Sequence, residues 1–381
     1  MKFYRSLLLF LPLFYYFLSG CVKVKDPVPE TPVRTVIVYL GTDNNFLSEA
    51  AEKINTLKNS WDKDNNGNLL VYADAGKSAV LVHIYYNKRL GNVADTIEVY
   101  QDENSASPAT ITRVLNRAKA YCPKASSYGL VVLSHGSGWL PAEMSWPIRA
   151  RSVIIDTSTR DPNNYTELWD FANAIPYKLD FIVFDVCFMG TIEVAYELKE
   201  KAEYIVASPA EVLVPGFVYS TMMQHLFEPV PDVTAVASEF YEYYNNQTGY
   251  YRSATVSVVK TSELEALATV VKDITQQNAP LSNLNNIQTF GYGAQRIYFD
   301  LEDYLLKLSP ENQNRIQTAL NKCVIYKANT PSYYSMGNYA MNPINTFSGL
   351  TMYIPQPAFP KANEAYGQLK WAKRIEYSNP F

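Results

Sequence analysis

The chain has 381 residues, of which 48% are hydrophobic and 18% charged, and its formal net charge at pH 7 is -4. This balance is typical of a globular protein and excludes a strongly basic nucleic-acid binder, so no nucleic-acid partner is expected. The cysteines form no C-x-x-C pair and no H-E-x-x-H helix occurs, which argues against zinc chemistry.

The N-terminus has the order of an export signal. Lys2 and Arg5 give a positive start, residues 7–18 are apolar, and the segment ends at Leu18-Ser19-Gly20-Cys21. These last four residues resemble a bacterial lipobox, which implies that Cys21 is diacylated after cleavage. The alternative is an ordinary cleavable signal with an incidental cysteine.

The resemblance to a lipobox implies two segments before the folded part of the chain. Residues 1–20 are expected to be the signal peptide, and residues 21–33 a lipidated tether, since Pro27, Pro29 and Pro32 favour an extended spacer. Acyl chains bury many methylene groups, so the protein is expected to be an exported bacterial lipoprotein held on a membrane of the cell envelope.

Residues 34–260 alternate between strand and helix patterns. Strands are predicted over 35–40, 69–72, 80–86, 96–100, 130–133, 179–184 and 204–207. Helices are predicted over 46–57, 109–121, 165–174 and 192–199. Such alternation predicts an α/β fold with a mostly parallel sheet flanked by helices.

Residues 261–381 are expected to form a more helical C-terminal subdomain. Its predicted helices cover 262–277, 301–308 and 310–324, and a helix over 233–244 precedes it. A strand over 351–354 is expected to return to the fold.

Two apolar runs end in side chains that can do chemistry. Leu130–Trp139 contains His135 followed by glycine, and Phe181–Gly190 contains Cys187 with glycine three residues later. In a parallel sheet, ligands bind beyond the carboxyl ends of the strands, so these runs can present a base and a thiol to one crevice. The spacing, 187 minus 135, is 52 residues, near the roughly 50 known for caspases.

The other histidines and cysteines fit structural roles better. His83 lies inside an apolar strand pattern, and His225 falls near a predicted helix end. Cys122 is placed at a predicted helix end and Cys323 in another predicted helix, where both thiols are expected to be inert small hydrophobic groups. Cys187 taken alone also fits a buried core thiol. No disulfide framework is expected.

The two motifs and three further segments resemble the clostripain family of cysteine peptidases, which is related to caspases, gingipains and legumains. The further segments, in family order, are Val36–Asn45, Ala202–Ser208 leading to Pro215-Gly216-Phe217, and Gly349–Pro355. The resemblance implies a caspase-like catalytic core and a membrane-anchored cysteine endopeptidase acting on protein or peptide substrates.

The resemblance also assigns roles to residues. Cys187 is expected to be the nucleophile with His135 as its acid-base partner, and the backbone N–H groups of Gly136 and Cys187 are expected to hold the oxyanion. Clostripain-like enzymes typically cleave after a basic residue, for which Asp185 and Glu211 are the acidic candidates. Alternatively, Asp185 binds backbone and Glu211 is solvated.

Two further features remain open from sequence alone. Members of the family are often cut between the two catalytic residues, where Arg149 and Arg151 are candidate self-cleavage sites, unless they are solvated surface charges. Residues 62–68 resemble half of an EF-hand loop, but position 12 is Ala73, so an ordinary polar turn is the favoured interpretation. The chemistry needs no cofactor, although some clostripain-like enzymes use calcium.

Two other classes of protein share features with this sequence. The glycine-rich segment after His135 is similar to an esterase oxyanion loop, but the chain lacks the G-x-S-x-G nucleophile elbow. The stronger rival is a catalytically inactive surface lipoprotein that uses the same fold for binding.

Overall fold

The structure is a computed structural model that describes residues 34–377 apart from 45, 75, 102, 142–152, 158–163 and 292–294. Its strands in chain order are β1 Arg34–Gly41, β2 Gly67–Asp74, β3 Ser78–Asn87, β4 Gly91–Gln101, β5 Ser127–Leu133, β6 Ile154–Ile155, β7 Tyr165–Thr166, β8 Leu179–Asp185, β9 Ala202–Ala207, β10 Thr255–Lys260, β11 Phe299–Asp300, β12 Val324–Asn329, β13 Ser332–Ser335, β14 Ala340–Pro343 and β15 Thr351–Met352.

The α-helices surround these strands. They are α1 Leu47–Ser60, α2 Pro108–Tyr121, α3 Leu168–Ala174, α4 Ile192–Glu197, α5 Tyr219–Leu226, α6 Val233–Asn245, α7 Leu264–Gln277, α8 Leu301–Leu308, α9 Gln313–Cys323, α10 Pro360–Gln368 and α11 Lys370–Arg374. Within the described residues, no helix has both the length and the apolar character needed to cross a membrane.

One mixed sheet organises the fold, in the order β12-β10-β9-β8-β5-β1-β2-β3-β4. The five strands β9, β8, β5, β1 and β2 are parallel, and antiparallel strands extend the sheet at both edges. The predicted architecture, a mostly parallel sheet flanked by helices, is confirmed.

The sheet is buried on both faces because its central strands carry few polar side chains. Every residue of β1 is buried, and its alternate residues join different clusters. Ile37 and Tyr39 pack on one face, whereas Val36 and Val38 pack on the other. A strand covered on both sides is expected to be a continuous apolar run, as this one is.

The sequence predicted most elements near their observed bounds, and α8 matches its predicted range. The helix expected over 165–174 was wrong at its start, because residues 165 and 166 pair with β6 and Glu167 has an extended backbone before α3. The short strands β13 and β14 and the edge strand β12 were not foreseen.

The C-terminal part of the chain packs against the same core. β12 pairs with β10 in the main sheet, and β15 pairs with β11. The backbone N–H of Thr351 donates to the carbonyl of Gly190, so this return strand supports the loop that follows β8.

Candidate active site

The strand register brings His135 and Cys187 to one end of the sheet. Leu133 of β5 is paired with Asp185 of β8 in the parallel ladder. His135 and Cys187 each lie two residues beyond these paired positions. Parallel strands end at the same edge, so the imidazole and the thiol leave the sheet side by side.

The loop after Cys187 has an unusual backbone. Phe188 has a φ of 60°, a left-handed conformation that few side chains adopt. Its carbonyl oxygen packs against Gly138, whose φ is 67° and where an added Cβ would lie 2.6 Å from that oxygen. The Phe188 N–H donates to the carbonyl of Ala210 at 3.0 Å. These contacts fix the turn that carries the thiol.

A cavity of about 530 Å³ opens at this edge. It is lined by all the residues that the sequence assigned to the centre of the site: His135, Gly136, Asp185, Cys187 and Glu211. Its size lies within the range of ligand pockets in proteins.

His135 is half-buried, and its ring stacks on Phe46 with the two centroids 4.2 Å apart. Burial lowers the pKa of His135 to about 4. The charged imidazolium loses hydration in this setting, so the resting ring is neutral near pH 7.

Cys187 is half-buried and hydrogen-bonds to one residue through both of its polar functions. The backbone N–H of Val212 donates to Sγ at 3.3 Å, and the thiol donates to the Val212 carbonyl at 3.8 Å. Burial raises the pKa of Cys187 to about 12, and the negative charges of Glu211 and Asp185 add to the rise. Burial and these charges therefore favour the protonated thiol over the thiolate.

Asp185 is buried under the cavity floor. Burial raises its pKa to about 6, and the ammonium group of Lys53 opposes the rise. Lys53 is itself buried and donates a hydrogen bond to the carbonyl of Pro215. The positive charge of Lys53 thus partly compensates the negative charge of the Asp185 carboxylate.

Glu211 is also buried, at 5% exposure, so the interpretation of a solvated side chain is wrong. Its Oε1 accepts a hydrogen bond from the Ser335 hydroxyl at 2.7 Å, and the Met336 N–H donates to both carboxylate oxygens at 3.1 Å. Burial raises the pKa of Glu211, and these hydrogen bonds oppose it. The hairpin β13–β14 thereby holds one wall of the cavity.

Sequence reasoning did not identify Phe46 and Glu49, which line the cavity, or Lys53, whose charge acts on Asp185. All three follow β1, whose carboxyl end lies beside that of β5. The position of this strand end was the signal that could have found them, because binding residues gather beyond the carboxyl ends of parallel strands.

Among the described residues, the other histidines and cysteines do not line the cavity. His83 sits in β3 and stacks on Tyr85, and the His225 ring lies 2.8 Å from a Glu239 oxygen. Cys122 and Cys323 are buried free thiols at helix ends, and burial raises the pKa of each.

The stretch similar to an EF-hand loop is an ordinary turn. The backbone N–H of Asp64 donates to Oδ1 of Asp62 at 2.9 Å, and Lys63 pairs with Asp64. Within the described residues, carboxylates that could hold a metal ion converge elsewhere, at Asp43, Asp74 and Asp156. Cys21, Arg149 and Arg151 lie outside the described residues.

A thiol and a histidine at neighbouring strand ends of a mostly parallel sheet define the layout of a cysteine hydrolase. The sequence profile of the clostripain family, Peptidase C11, matches residues 38–376. The chain therefore belongs to the clostripain family of cysteine peptidases.

A curated protein and solved structures that are similar to this chain are also C11 peptidases. Clostripain of Hathewaya histolytica is 26% identical over 221 residues, which are 50% of this chain and 42% of that protein, so the match spans less than half the length of this curated relative. An inactive zymogen C11 protease from Parabacteroides distasonis is 34% identical with a TM-score of 0.81, covering 91% of this chain and 99% of its own.

A second solved structure is that of a secreted C11 cysteine protease from Bacteroides thetaiotaomicron in complex with an irreversible peptide inhibitor. It is 28% identical with a TM-score of 0.80 and covers 91% of this chain and 99% of its own.

Proposed function

We propose that this chain is an endopeptidase in which Cys187 and His135 hydrolyse peptide bonds. The observation that carries the proposal is the shared cavity, into which both side chains open from adjacent strand ends. Purified full-length protein should therefore release fluorophore from peptide substrates and lose that activity with a thiol-reactive peptide inhibitor. Complete inertness of properly folded protein toward a broad peptide panel would contradict the proposal.

The two neutral resting groups imply how the reaction starts. With the pKa of His135 near 4 and that of Cys187 near 12, a preformed thiolate-imidazolium pair is unfavourable. The proton passes from Sγ to the imidazole as the sulfur attacks the carbonyl carbon, and the imidazolium then donates it to the leaving amine. Water hydrolyses the resulting thioester with His135 as base.

The oxyanion is assigned to backbone donors. Gly136 and Cys187 follow the two strands and line the cavity, and their N–H groups are the proposed donors to the tetrahedral intermediate. One such donor is typically worth about 2.7–4 kcal/mol of transition-state stabilisation. No cofactor takes part in these steps.

The thiol proton must change its partner before the attack. In this structure the thiol donates to the Val212 carbonyl, so the S–H bond must turn away from that carbonyl before its proton can pass to His135. The same contact favours the second candidate function, a binding protein that does not turn over. Labelling of Cys187 with an irreversible peptide inhibitor distinguishes the peptidase from the binding protein. Only a catalytically competent site is expected to react rapidly with the inhibitor.

A basic residue before the cleaved bond is the proposed preference. Glu49, Asp185 and Glu211 line the cavity, and Lys53 offsets one of these three charges. Glu211→Gln is expected to lower kcat/KM for arginyl substrates by about 10- to 100-fold, the worth of a charged hydrogen bond. Neutral substrates should change by less than about 3-fold, because they do not use this charge.

The matched control for this specificity test is Glu203→Gln, an exposed glutamate in β9. It should leave the ratio of arginyl to neutral activity unchanged. An unchanged ratio in Glu211→Gln would remove Glu211 from the specificity pocket.

A lipid anchor at Cys21 is proposed from the signal that precedes it. The wild-type protein should fractionate with membranes, and Cys21→Ser should be soluble or unprocessed, because acyl chains supply most of the membrane affinity. Equal distribution of the two proteins would contradict lipidation.

Self-processing after Arg149 or Arg151 is proposed from the basic preference together with their place between the catalytic residues. Mass spectrometry of the active protein should find new termini there, and Cys187→Ala should remain intact. A chain that stays uncut at full activity would exclude this step.

A further inference from the structure

Tyr298 lies between the loops that carry the two proposed catalytic side chains. It comes directly before β11 and is 1% exposed. The Tyr298 hydroxyl donates a hydrogen bond of 2.7 Å to the carbonyl of Ser137, two residues after His135. The Leu140 N–H donates to the same carbonyl at 3.3 Å. The hydroxyl is thus one of two donors that hold the peptide unit after Ser137.

The ring of the same tyrosine contacts the other loop. It lies nearly parallel to the ring of Phe188, the residue after Cys187, with the centroids 5.0 Å apart and an interplanar angle of 11°. This separation is typical of an offset stack, and both residues are buried. Phe188 has the left-handed backbone in the turn that carries the thiol. One side chain therefore contacts both loops, with its hydroxyl at one and its ring at the other.

Tyr298 is itself fixed by backbone hydrogen bonds. Its carbonyl accepts from the Phe290 N–H at 2.9 Å, and the next two residues form β11, which pairs with β15. In β15, the N–H of Thr351 donates to the Gly190 carbonyl in the loop after β8. The tyrosine is therefore anchored to a strand pair outside the two loops, so it can restrain them.

Two observations give this side chain a supporting role and not a chemical one. Tyr298 is not among the residues that line the catalytic cavity, so it does not contact a substrate there. Burial raises the pKa of Tyr298 well above its ordinary value, and the charges of Glu193 and Cys187 add to the rise. The hydroxyl therefore keeps its proton and remains a hydrogen-bond donor at neutral pH.

We propose that Tyr298 is a positioning residue that fixes the relative placement of His135 and Cys187. This role rests on the proposed peptidase function. The proton of Sγ must pass to the imidazole during the attack, so the two side chains must stay within reach of each other. A displacement of about 1 Å in such an arrangement can cost about 100-fold in rate. A tyrosine from a distant part of the chain thereby sets the geometry of the two loops.

Two substitutions remove the contacts in steps. Tyr298→Phe removes only the hydroxyl, and with purified full-length protein and a fluorogenic peptide it should lower kcat by about 5- to 10-fold, the worth of one hydrogen bond. Tyr298→Leu also removes the ring and should lower kcat by about 100-fold. KM should change by less than about 2-fold in both variants, because the residue does not contact substrate. A raised KM with kcat unchanged, or equal kcat in wild type and Tyr298→Leu, would overturn the proposal.

The matched control is Tyr177→Phe. The Tyr177 hydroxyl also donates to a backbone carbonyl, that of Leu115, at 2.8 Å, and its ring also packs on an aromatic ring, that of Tyr128. Tyr177 precedes β8 and so lies at the opposite end of this strand from Cys187. This variant should keep the wild-type kcat. A loss of kcat equal to that of Tyr298→Phe would indicate a general effect on stability and overturn the positioning role.

Hydrogen exchange measures the two loops without turnover. The Leu140 and Phe188 N–H groups form backbone hydrogen bonds in these loops, and both should exchange at least about 10-fold faster in Tyr298→Leu than in wild type. The Val131 N–H in β5 should exchange at the wild-type rate, since the sheet is intact. Unchanged exchange at both loop groups would overturn the proposal.

The two measurements separate this inference from the proposed function. Folded wild-type protein without peptide turnover would contradict the peptidase function, and the exchange rates would still decide whether Tyr298 holds the two loops. If Tyr298→Leu does not fold, Tyr298→Phe provides the same measurement, with exchange at Leu140 expected to be about 3-fold faster. Wild-type exchange in that variant would overturn the role of the hydroxyl.

Discussion

Cys187 and Cys323 show how two similar thiols acquire different surroundings. Burial raises the pKa of each to about 12. Cys323 is fully buried at the end of α9, where its thiol lies 4.0 Å from the carbonyl of Lys260. Cys187 stands in a loop beyond β8 and opens on a cavity shared with His135.

The difference between these two regions shows that a raised pKa does not by itself distinguish the proposed nucleophile from a packed thiol. What separates the loop from the helix end is access to substrate and a neighbouring base. A thiol with a high pKa still reacts when a histidine accepts its proton during attack.

The largest expected effect tests this comparison directly. Cys187→Ala and His135→Ala should each lower kcat by at least about 10⁴-fold, because each removes one member of the proposed catalytic unit. Cys323→Ala should retain activity within about 2-fold, since it removes only a packed thiol. Peptide turnover with folding checked by circular dichroism measures all three. Turnover by purified Cys187→Ala would break the comparison.

The second prediction concerns the backbone that shapes the loop. Gly138→Ala places a methyl group 2.6 Å from the Phe188 carbonyl oxygen, whereas Gly249→Ala meets no atom within 4 Å, although both glycines have positive φ. Gly138→Ala should lower kcat by about 100-fold through misplacement of the thiol. Gly249→Ala should lower stability by about 1 kcal/mol and leave kcat unchanged. Equal kcat values in the two variants would contradict the role of the loop.

The pH dependence of alkylation tests the difference between Cys187 and Cys323 in a second way. A pKa of about 12 for Cys187 means that its thiolate fraction, and with it the iodoacetamide rate, should rise about tenfold per pH unit from pH 7 to 10. Removing the negative charge in Glu211→Gln lowers that pKa and should speed alkylation by roughly 3- to 10-fold, equal to half to one pKa unit.

Mass spectrometry of the labelled peptide distinguishes Cys187 from Cys323, which should stay unlabelled in folded protein. A rate that is flat across this pH range would indicate a preformed thiolate and contradict the neutral resting pair.

The smallest expected effect concerns the ring that supports the base. Phe46→Leu removes the stack on His135 and should lower kcat by about 3-fold, because such aromatic pairs are worth about 0.5–1.5 kcal/mol. Phe46→Tyr keeps the ring and should retain the wild-type kcat. A loss of the same size in Phe46→Tyr would show that stacking is not what the residue contributes.

The sequence by itself was sufficient to predict the central strands and the mostly parallel sheet of this protein. Apolar runs identified the strands that carry His135 and Cys187, because a strand buried on both faces has a local and continuous signature. The order of strands and helices then predicted a mostly parallel sheet. From this order the sequence also predicted that the two side chains meet at one edge, since parallel strands share their carboxyl ends.

Only the tertiary structure decided the state and the surroundings of the site. Desolvation makes His135 and Cys187 neutral, Val212 contacts the thiol, and the β13–β14 hairpin binds Glu211. The aspartates likewise come together from three distant segments. Each of these features depends on contacts between residues far apart in the chain, and no local period or motif encodes which distant groups will share a buried environment.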